Sequence, residues 1–225
     1  MPEKSYADSW PLRARIVMVA LNFLPLLHVA GVAYCTWRFN GGWRIGAPLL
    51  VLFVLPPLIT RIMGWIFPME PGSHRVASRT FLVWWATAQC QMVFCRLPFI
   101  EECLRFVPGL YSFWLRLWGA RIGRLTFWSP GLRILDRGLL RIGDDVVFGT
   151  GVRLNAHVIA RDEESGEMQL HLGEIEIGDA AHIGGYSLLT AGSIIEPGEH
   201  LKAFSLSPPF TRWSDNRRTR PAVPT

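Results

Sequence analysis

The chain has 225 residues, of which half are hydrophobic and only 18% are charged. Its mean hydropathy is positive, which is unusual for a soluble domain and ordinary for a protein that holds membrane spans. The net charge is +5, but the arginines are scattered around apolar segments, so a nucleic-acid partner is not expected. Basic residues beside apolar segments instead favour contact with membrane lipids.

The first apolar segment covers residues 16–37 and contains no charged residue. Because a helix rises 1.5 Å per residue, this length crosses a hydrocarbon core of ~30 Å, and we predict a transmembrane helix. Pro25 should kink it. His28 within it is either a neutral histidine bonded to a neighbouring helix or a functional intramembrane group.

A second apolar segment covers residues 45–60, breaks at Arg61 and resumes as IMGWIF. Its prolines argue against one straight helix, and the short linker before it predicts a hairpin of two spans. A third stretch, residues 81–95, is short for a span and carries two glutamines, which favours a re-entrant or interfacial helix. Residues 103–119 have an amphipathic pattern, with Trp114 and Trp118 as expected interfacial anchors.

Basic residues outside the predicted spans indicate the orientation. Those before the first span and after the second outnumber those in the connecting loop, which predicts a bacterial inner-membrane protein whose C-terminal domain faces the cytoplasm. The two sets are Lys4, Arg13, Arg15, Arg61, Arg75, Arg79 and Arg96 against Arg38 and Arg44. The four cysteines show no metal-ligand spacing, so no metal site is predicted.

After Gly119 the sequence acquires a period of six residues. Bulky apolar residues recur at that interval, often followed by a small residue, and neither a helical nor a strand period fits. The pattern predicts a solenoid in which each six-residue unit is a short strand and a turn, with the bulky side chain inside. The phased residues are Ile122, Trp128, Ile134, Ile142, Phe148, Leu154, Ile177, Ile183, Leu189, Ile195 and Leu201.

The segments RIGDDVVFGTGVRLNAHVI and EIEIGDAAHIGGYSLLTAGSIIEPG resemble the hexapeptide-repeat acyltransferase superfamily. The preceding YSFWLRLWGARIG is similar to the β-helix entry of colanic-acid acetyltransferase-like members. The resemblance implies a left-handed parallel β-helix with three hexads per coil, and a homotrimer. It also implies an acyl donor, acyl-CoA or acyl carrier protein, bound between neighbouring subunits, and no other cofactor.

The expected architecture is a mainly β C-terminal domain preceded by an α-helical membrane domain. The membrane domain should cover residues 1–118 and the left-handed β-helix residues 119–206, in about four to five coils. Residues 207–225 form a basic tail, including Arg220, whose prolines should end the ladder so that it leaves as an extended arm.

Two breaks interrupt the repeat. The 23-residue interval between Leu154 and Ile177 is not a multiple of six, so its polar part should loop out of the solenoid. A two-residue slip at DRGLL, after Leu135, indicates a bulge at a corner.

Acyl transfer from a thioester needs a base for the acceptor's proton, and histidine suits this role because it titrates near neutrality. The resemblance places the catalytic histidine at the junction of coil and loop, where His157 stands, with Asn155 able to orient or bind the acceptor. His171 is the second candidate for the base, whereas His182 and His200 are expected at the surface. The acidic run Asp162, Glu163 and Glu164 either orients His157 or is solvated.

Small residues of the last coils are the candidate donor site. They would leave backbone amides exposed for a pantetheine arm, although glycines also occur at β-helix corners for structural reasons. These residues are Gly184, Gly185, Ala191, Gly192 and Ser193.

The sequence thus predicts a membrane-bound acyltransferase acting on a hydroxyl or amine of a membrane-associated acceptor: a lipid, a lipid-linked saccharide or a lipophilic metabolite. A non-catalytic trimeric scaffold of a membrane biosynthetic complex is the main alternative. A transporter component, suggested by His28 and the proline-broken helices, is the third.

Overall fold

The computed structural model describes residues 10–162 and 166–219; Lys4, Glu163, Glu164 and Arg220 lie outside them. The N-terminal half of the described chain is helical, with one short strand between its fourth and fifth helices. Its elements are α1 (Leu12–Leu21), α2 (Leu24–Arg38), α3 (Trp43–Phe53), α4 (Leu55–Ile66), β1 (Gly72–Arg75), α5 (Arg79–Arg96), α6 (Phe99–Arg105) and α7 (Leu110–Leu117).

Two nearly continuous helical segments are long and apolar enough to cross a membrane: α1 with α2 (Leu12–Arg38) and α3 with α4 (Trp43–Ile66). The first breaks just before Pro25, which lies in the first turn of α2, as the sequence predicted. The second breaks at Val54 and not at Arg61, because Pro56 and Pro57 begin a new helix there.

Helix α5 is central in the helical half, whereas its length predicted a re-entrant or interfacial helix. It packs against α1, α2 and α4 and buries Trp84 and Phe94. The prediction that Trp114 and Trp118 anchor the chain at a membrane surface is wrong. Both are less than 5% exposed, and both pack edge-on against the ring of Phe94.

The C-terminal half is built from strands, most of which have only two or three residues. They are β2 (Arg121–Ile122), β3 (Phe127–Trp128), β4 (Arg133–Ile134), β5 (Leu140–Ile142), β6 (Val147–Phe148), β7 (Arg153–Leu154), β8 (His157–Arg161), β9 (Met168–Leu172), β10 (Ile175–Ile177), β11 (His182–Ile183), β12 (Leu188–Leu189), β13 (Ile194–Ile195), β14 (His200–Leu201), β15 (Leu206–Ser207), β16 (Arg212–Ser214) and β17 (Arg217–Thr219).

These strands, apart from the hairpin β8–β9, form three parallel sheets that are the faces of a β-helix. The sheets stack as β2-β5-β10-β13-β16, β3-β6-β11-β14 and β4-β7-β12-β15, and β17 joins the first sheet antiparallel to β16. Four coils are complete and β16 begins a fifth, which confirms the coil number expected from the hexads. The left-handed sense of the coil stays a prediction.

The phased residues stack in columns inside the solenoid. Ile122, Ile142, Ile177 and Ile195 are successive partners across one sheet. In the next sheet the ring of Trp128 stacks on that of Phe148 with centroids 5.0 Å apart. Because each coil covers the strand edges of the one before, backbone groups pair between coils and the apolar side chains share one interior.

The predicted loop between Leu154 and Ile177 is instead a β-hairpin. Strands β8 and β9 pair antiparallel, and β1 from the helical half adds a third strand to β9. Arg75 of β1 and Glu167 form a two-pronged ion pair beside this sheet.

The expected domain boundaries also change. The solenoid continues past residue 206, because β16 pairs with β13, and Pro208 and Pro209 occupy the corner between β15 and β16. At residue 118 the core is continuous, since Phe94 and Trp118 belong to the same buried cluster as Ile122 and Ile142.

Candidate active site

A histidine and an aspartate meet where the hairpin leaves the solenoid. His157 is the first residue of β8, and its Nδ1 lies 2.6 Å from Oδ2 of Asp136. The imidazole is 20% exposed, whereas the carboxylate is only 4% exposed. Within the described chain, Nε2 makes no hydrogen bond. A buried carboxylate at Nδ1 places the proton on that nitrogen and leaves Nε2 able to accept another.

The other oxygen of Asp136 is bonded to the helical half. The indole Nε1 of Trp84, in α5, donates to Asp136 Oδ1 at 3.0 Å. The same indole lies against the imidazole of His157, with ring centroids 4.5 Å apart. The three side chains therefore form one connected unit, with the carboxylate between an indole and an imidazole.

The slip in the repeat explains why Asp136 can reach His157. Ile134 and Ile142 occupy equivalent inward positions in successive sheets but are eight residues apart instead of six, and the additional residues form a corner. Gly138 closes this corner beside the last turn of α7. A Cβ at Gly138 would lie 2.8 Å from the carbonyl oxygen of Trp118, so only glycine fits without a shift.

Arg137, the residue after Asp136, points into the helical half and is only 1% exposed. Its guanidinium pairs with the carboxylate of Glu101, and its backbone N–H donates to Gln91 Oε1 at 2.8 Å. Burial alone would lower the pKa of Arg137, but Glu101 raises it above its usual range, so the group stays charged.

Aromatic side chains enclose this buried charge. The guanidinium carbon lies 5.5 to 5.7 Å from the ring centroids of Phe94, Trp114 and Trp118, within the range of cation–π attraction. The hydroxyl of Tyr111 donates to Glu101 at 2.7 Å. The corner that carries Asp136 and Arg137 is thus fixed by two contacts. One is the hydrogen bond between Asp136 and His157, here called the dyad, and the other is the ion pair between Arg137 and Glu101 of α6.

A cavity of about 1030 Å³ lies between the helical half and the first coils, and Asp136 forms part of its wall. Helix α4 contributes Thr60, Arg61, Gly64 and Trp65. The opposite wall is formed by the end of α7 and by residues of β2 and β5 with their corners.

His171, the second candidate for the base, does not share a site with His157. In the hairpin, His157 pairs with Leu172 and Val158 pairs with His171. Because successive strand residues point to opposite faces, the two imidazoles project from opposite sides of the sheet. The Nδ1 of His171 lies 2.7 Å from Oγ of Ser73 in β1.

The other predicted site residues are dispersed. The backbone N–H of Asn155 donates to Leu189, and no hydrogen bond within the described chain joins its side chain to His157. Of the two alternatives for the acidic run, orientation of His157 does not hold for Asp162: it follows the far end of β8, beside the hairpin turn, where its N–H donates to Glu167. His182 and His200 are exposed on adjacent coils, as expected.

Three of the five small residues proposed to bind the donor do not present free amides. The N–H groups of Gly184, Gly192 and Ser193 are already bonded to other backbone carbonyls. Ala191 and Ser193 are fully buried. A Cβ at Gly184 would lie 2.3 Å from the backbone of Ala203, whereas Gly185 is half-buried. Close stacking of coils accounts for Gly184, and donor binding at all five positions stays a prediction.

Asp136 is the residue that sequence reasoning missed. It lies in the DRGLL slip, where two charged residues occupy a buried corner of an otherwise regular repeat. Two adjacent charged residues at a break in the six-residue repeat were the sequence signal that could have identified Asp136.

No protein-family model matches the chain, and no curated protein matches it. Solved structures that it resembles include a hexapeptide-repeat-containing acetyltransferase from Vibrio cholerae O1 biovar eltor complexed with acetyl coenzyme A. The identity is 14% and the TM-score 0.38, over 61% of this chain and 90% of that one. A maltose O-acetyltransferase from Clostridium difficile 630 has 16% identity and a TM-score of 0.32, over 56% and 82% of the chains.

A galactoside acetyltransferase in complex with coenzyme A has 14% identity and a TM-score of 0.32, over 56% of this chain and 79% of that one. Because the identities and TM-scores are low, the case for activity rests on the residues of this chain. The colanic-acid acetyltransferase-like branch stays a prediction.

Proposed function

We propose that the protein is an acyltransferase in which His157 is the general base. The observation that carries the proposal is the bonded unit of Trp84, Asp136 and His157, at the junction of the solenoid and its hairpin. A carboxylate hydrogen-bonded to Nδ1 fixes the tautomer and the orientation of the imidazole and leaves Nε2 to act as the base.

In the proposed reaction, Nε2 of His157 takes the proton from a hydroxyl or amine of the acceptor. The acceptor atom then attacks the carbonyl carbon of the thioester, and a tetrahedral intermediate forms. Collapse of the intermediate breaks the C–S bond, and the imidazolium returns the proton to the leaving thiolate. Asp136 stabilises the imidazolium between the two steps without itself taking the proton.

The proposed donor is acyl coenzyme A. Two of the similar solved structures hold acetyl coenzyme A or coenzyme A, which makes acetyl coenzyme A the donor to test first. Acyl carrier protein, the other donor implied by the sequence resemblance, is the second to test.

We infer that Leu12–Arg38 and Trp43–Ile66 span the bilayer. In the most apolar 18-residue stretch of each segment, only 6% and 17% respectively is buried within the protein. A core helix of a soluble protein would be mostly buried. Tryptophans that are at least 63% exposed stand at the ends of these segments, at positions 37, 43 and 65, as expected at membrane interfaces. The proposed acceptor is therefore membrane-associated, and the solenoid faces the cytoplasm, where coenzyme A thioesters are available.

The direct test is turnover of acetyl coenzyme A by the full chain in detergent, with membrane lipid extract as the acceptor. Release of free thiol and transfer of labelled acetyl groups would be measured together. His157→Ala should lose about two to four orders of magnitude in rate. His182→Ala, which removes an exposed imidazole from the same solenoid, is the matched control and should remain near wild type.

If His171→Ala abolishes transfer and His157→Ala does not, the base is misassigned. If the wild-type chain consumes neither acetyl coenzyme A nor an acyl carrier protein thioester, the alternative of a non-catalytic scaffold replaces the proposal.

A further inference from the structure

The deep end of the cavity beside Asp136 is lined by buried polar side chains from the helical half. Thr60, Thr87, Gln91 and Asp136 are each 8% exposed or less. The Thr60 hydroxyl donates to the carbonyl of Pro57 at 2.9 Å and the Thr87 hydroxyl to that of Trp84 at 2.8 Å. Each hydroxyl oxygen thus keeps lone pairs that can accept hydrogen bonds from a ligand. This end suits a group rich in hydroxyls.

The outer end of the cavity lies at the last turns of α4, one of the two candidate spans. Trp65 is 74% exposed, and the guanidinium of Arg61 lies 5.5 Å from its ring centroid. Tryptophan and arginine at the end of an apolar helix mark the depth of the membrane interface. A ligand can therefore enter from the bilayer surface.

Between the two ends, the α4 wall is open at Gly64. A Cβ added there would meet no atom within 4 Å, and the facing wall includes Leu139, Ile142 and Trp118. An apolar passage of this kind accommodates a hydrocarbon chain.

Charges around the cavity do not favour an ionic head group. Three arginines and four carboxylates line the cavity, and most of these groups already have partners; they are Arg61, Arg116, Arg121, Asp136, Asp144, Glu174 and Asp179. Arg116 donates to the carbonyl of Ile122, and Glu174 pairs with Arg141. The carboxylate of Asp179 accepts a hydrogen bond from the backbone N–H of Asp144. The carboxylate of Asp144 accepts one from the backbone N–H of Arg124. Because charges of both signs line the cavity and most of them are paired within the protein, a neutral head group fits better than an anion.

We propose that this cavity binds a neutral amphiphile with a hydroxyl-bearing head, of the alkyl glycoside or glycolipid class. The head lies among Thr60, Thr87 and Gln91 at the Asp136 end, and the chain passes Gly64 toward the bilayer. This binding site goes beyond the proposed function, and its occupancy can be measured without turnover.

The probe is dodecyl β-D-glucoside with a photoreactive diazirine in its chain, added to the full-length protein in lipid nanodiscs. Crosslinked peptides would be mapped by mass spectrometry, with excess unlabelled dodecyl glucoside as the competitor. We expect competable labelling of residues 60–69. Gly64→Phe, which fills the open position, should reduce that labelling about tenfold.

Gly46→Phe is the matched control, because Gly46 is also a half-buried glycine of the same candidate span and its Cβ would only meet Trp43 at 3.8 Å. The Gly46→Phe variant should be photolabelled as strongly as the wild type. Thr87→Val tests the polar end without filling the passage and should weaken competition by the glucoside but not by dodecane-1-ol. Its control is Thr36→Val, which removes an exposed hydroxyl that makes the same kind of bond in α2.

The cavity proposal is overturned if unlabelled dodecyl glucoside does not reduce the labelling of residues 60–69, or if Gly64→Phe and Thr87→Val leave the labelling unchanged. Either result leaves the acyl transfer proposal unaffected. Competable labelling in a chain that consumes no thioester has the opposite meaning: the amphiphile site stands and the acyltransferase proposal fails.

Discussion

The indole N–H of Trp84 donates a hydrogen bond to one carboxylate oxygen of Asp136, and the imidazole of His157 is hydrogen-bonded to the other. These two hydrogen bonds join residues of the helical half and of the solenoid in one unit. The helices are therefore part of the candidate site, and their removal would change more than the location of the protein.

Asp136→Asn tests the role of the carboxylate. The amide is isosteric, so the corner should keep its shape, but a neutral group can neither stabilise an imidazolium nor impose the same tautomer on His157. We expect acyl transfer to fall by about two to four orders of magnitude, with the thermal unfolding midpoint close to that of the wild type. Retention of more than half of the activity would show that His157 works without this partner.

Trp84→Phe tests the contribution of helix α5. It removes the N–H that donates to Asp136 and keeps an aromatic ring beside His157. A hydrogen bond to a charged group is worth about 1.5–3 kcal/mol, so kcat should fall about 10- to 100-fold. Trp85→Phe removes an indole N–H that donates to Asn22 Oδ1 at 3.2 Å, away from the dyad, and should change kcat less than threefold. Equal losses in the two variants would contradict the inference.

The buried ion pair of Arg137 and Glu101 should matter most when only one partner is removed. Arg137→Met leaves an uncompensated carboxylate in an aromatic enclosure and should cost about 3–5 kcal/mol in the free energy of unfolding. Glu101→Gln should also be costly. The double variant should lose clearly less than the sum, because neither charge is then stranded. Denaturant unfolding in detergent measures all three, and additive losses would mean that the two groups are not coupled.

The buried phenol of Tyr111 should make the free energy of unfolding depend on pH. Burial raises the pKa of its phenol above the usual value, and Glu101 raises it further, while Arg105 and Arg137 oppose the shift. The unfolded chain therefore ionises first, and the free energy of unfolding should fall as the pH rises above about 10, by about 1.4 kcal/mol per pH unit from this group. The slope between pH 9.5 and 11 should be shallower in Tyr111→Phe. Identical slopes would mean that Tyr111 ionises as freely in the folded protein.

We expect a homotrimer, as the sequence resemblance implies. Light scattering on the detergent-solubilised protein, corrected for bound detergent, should give three times the chain mass of 25.4 kDa. A mass equal to one chain would exclude the trimer and, with it, any donor site that requires a neighbouring subunit.

The hexad count found the solenoid because each phased position has the same demand: a bulky side chain inside a narrow prism. Ile142, Ile177 and Ile195 stack as this demand requires. His157 was found for a different reason, its place at a register break. Asp136 also lies at a register break, but its contact with Trp84, more than 50 residues away, could not be found in this way. The contact of strand β9 with Ser73 is also distant in sequence.

The same limit explains the error at Trp114 and Trp118. An amphipathic pattern with two tryptophans is typical of an interfacial helix, and nothing local reveals that a guanidinium from residue 137 will cover the rings. Tertiary contact decided their burial.

The enclosure of Arg137 also has a consequence for the order of synthesis. Phe94, Trp114 and Trp118 leave the ribosome before Arg137 does, and at about 5–20 residues per second the interval is on the order of one to a few seconds. During that time Glu101 has no cationic partner and the three rings have no cover. A released chain that ends before residue 137 therefore leaves Glu101 without its cation and the three rings without their cover, whereas extension past the first corner of the solenoid supplies both.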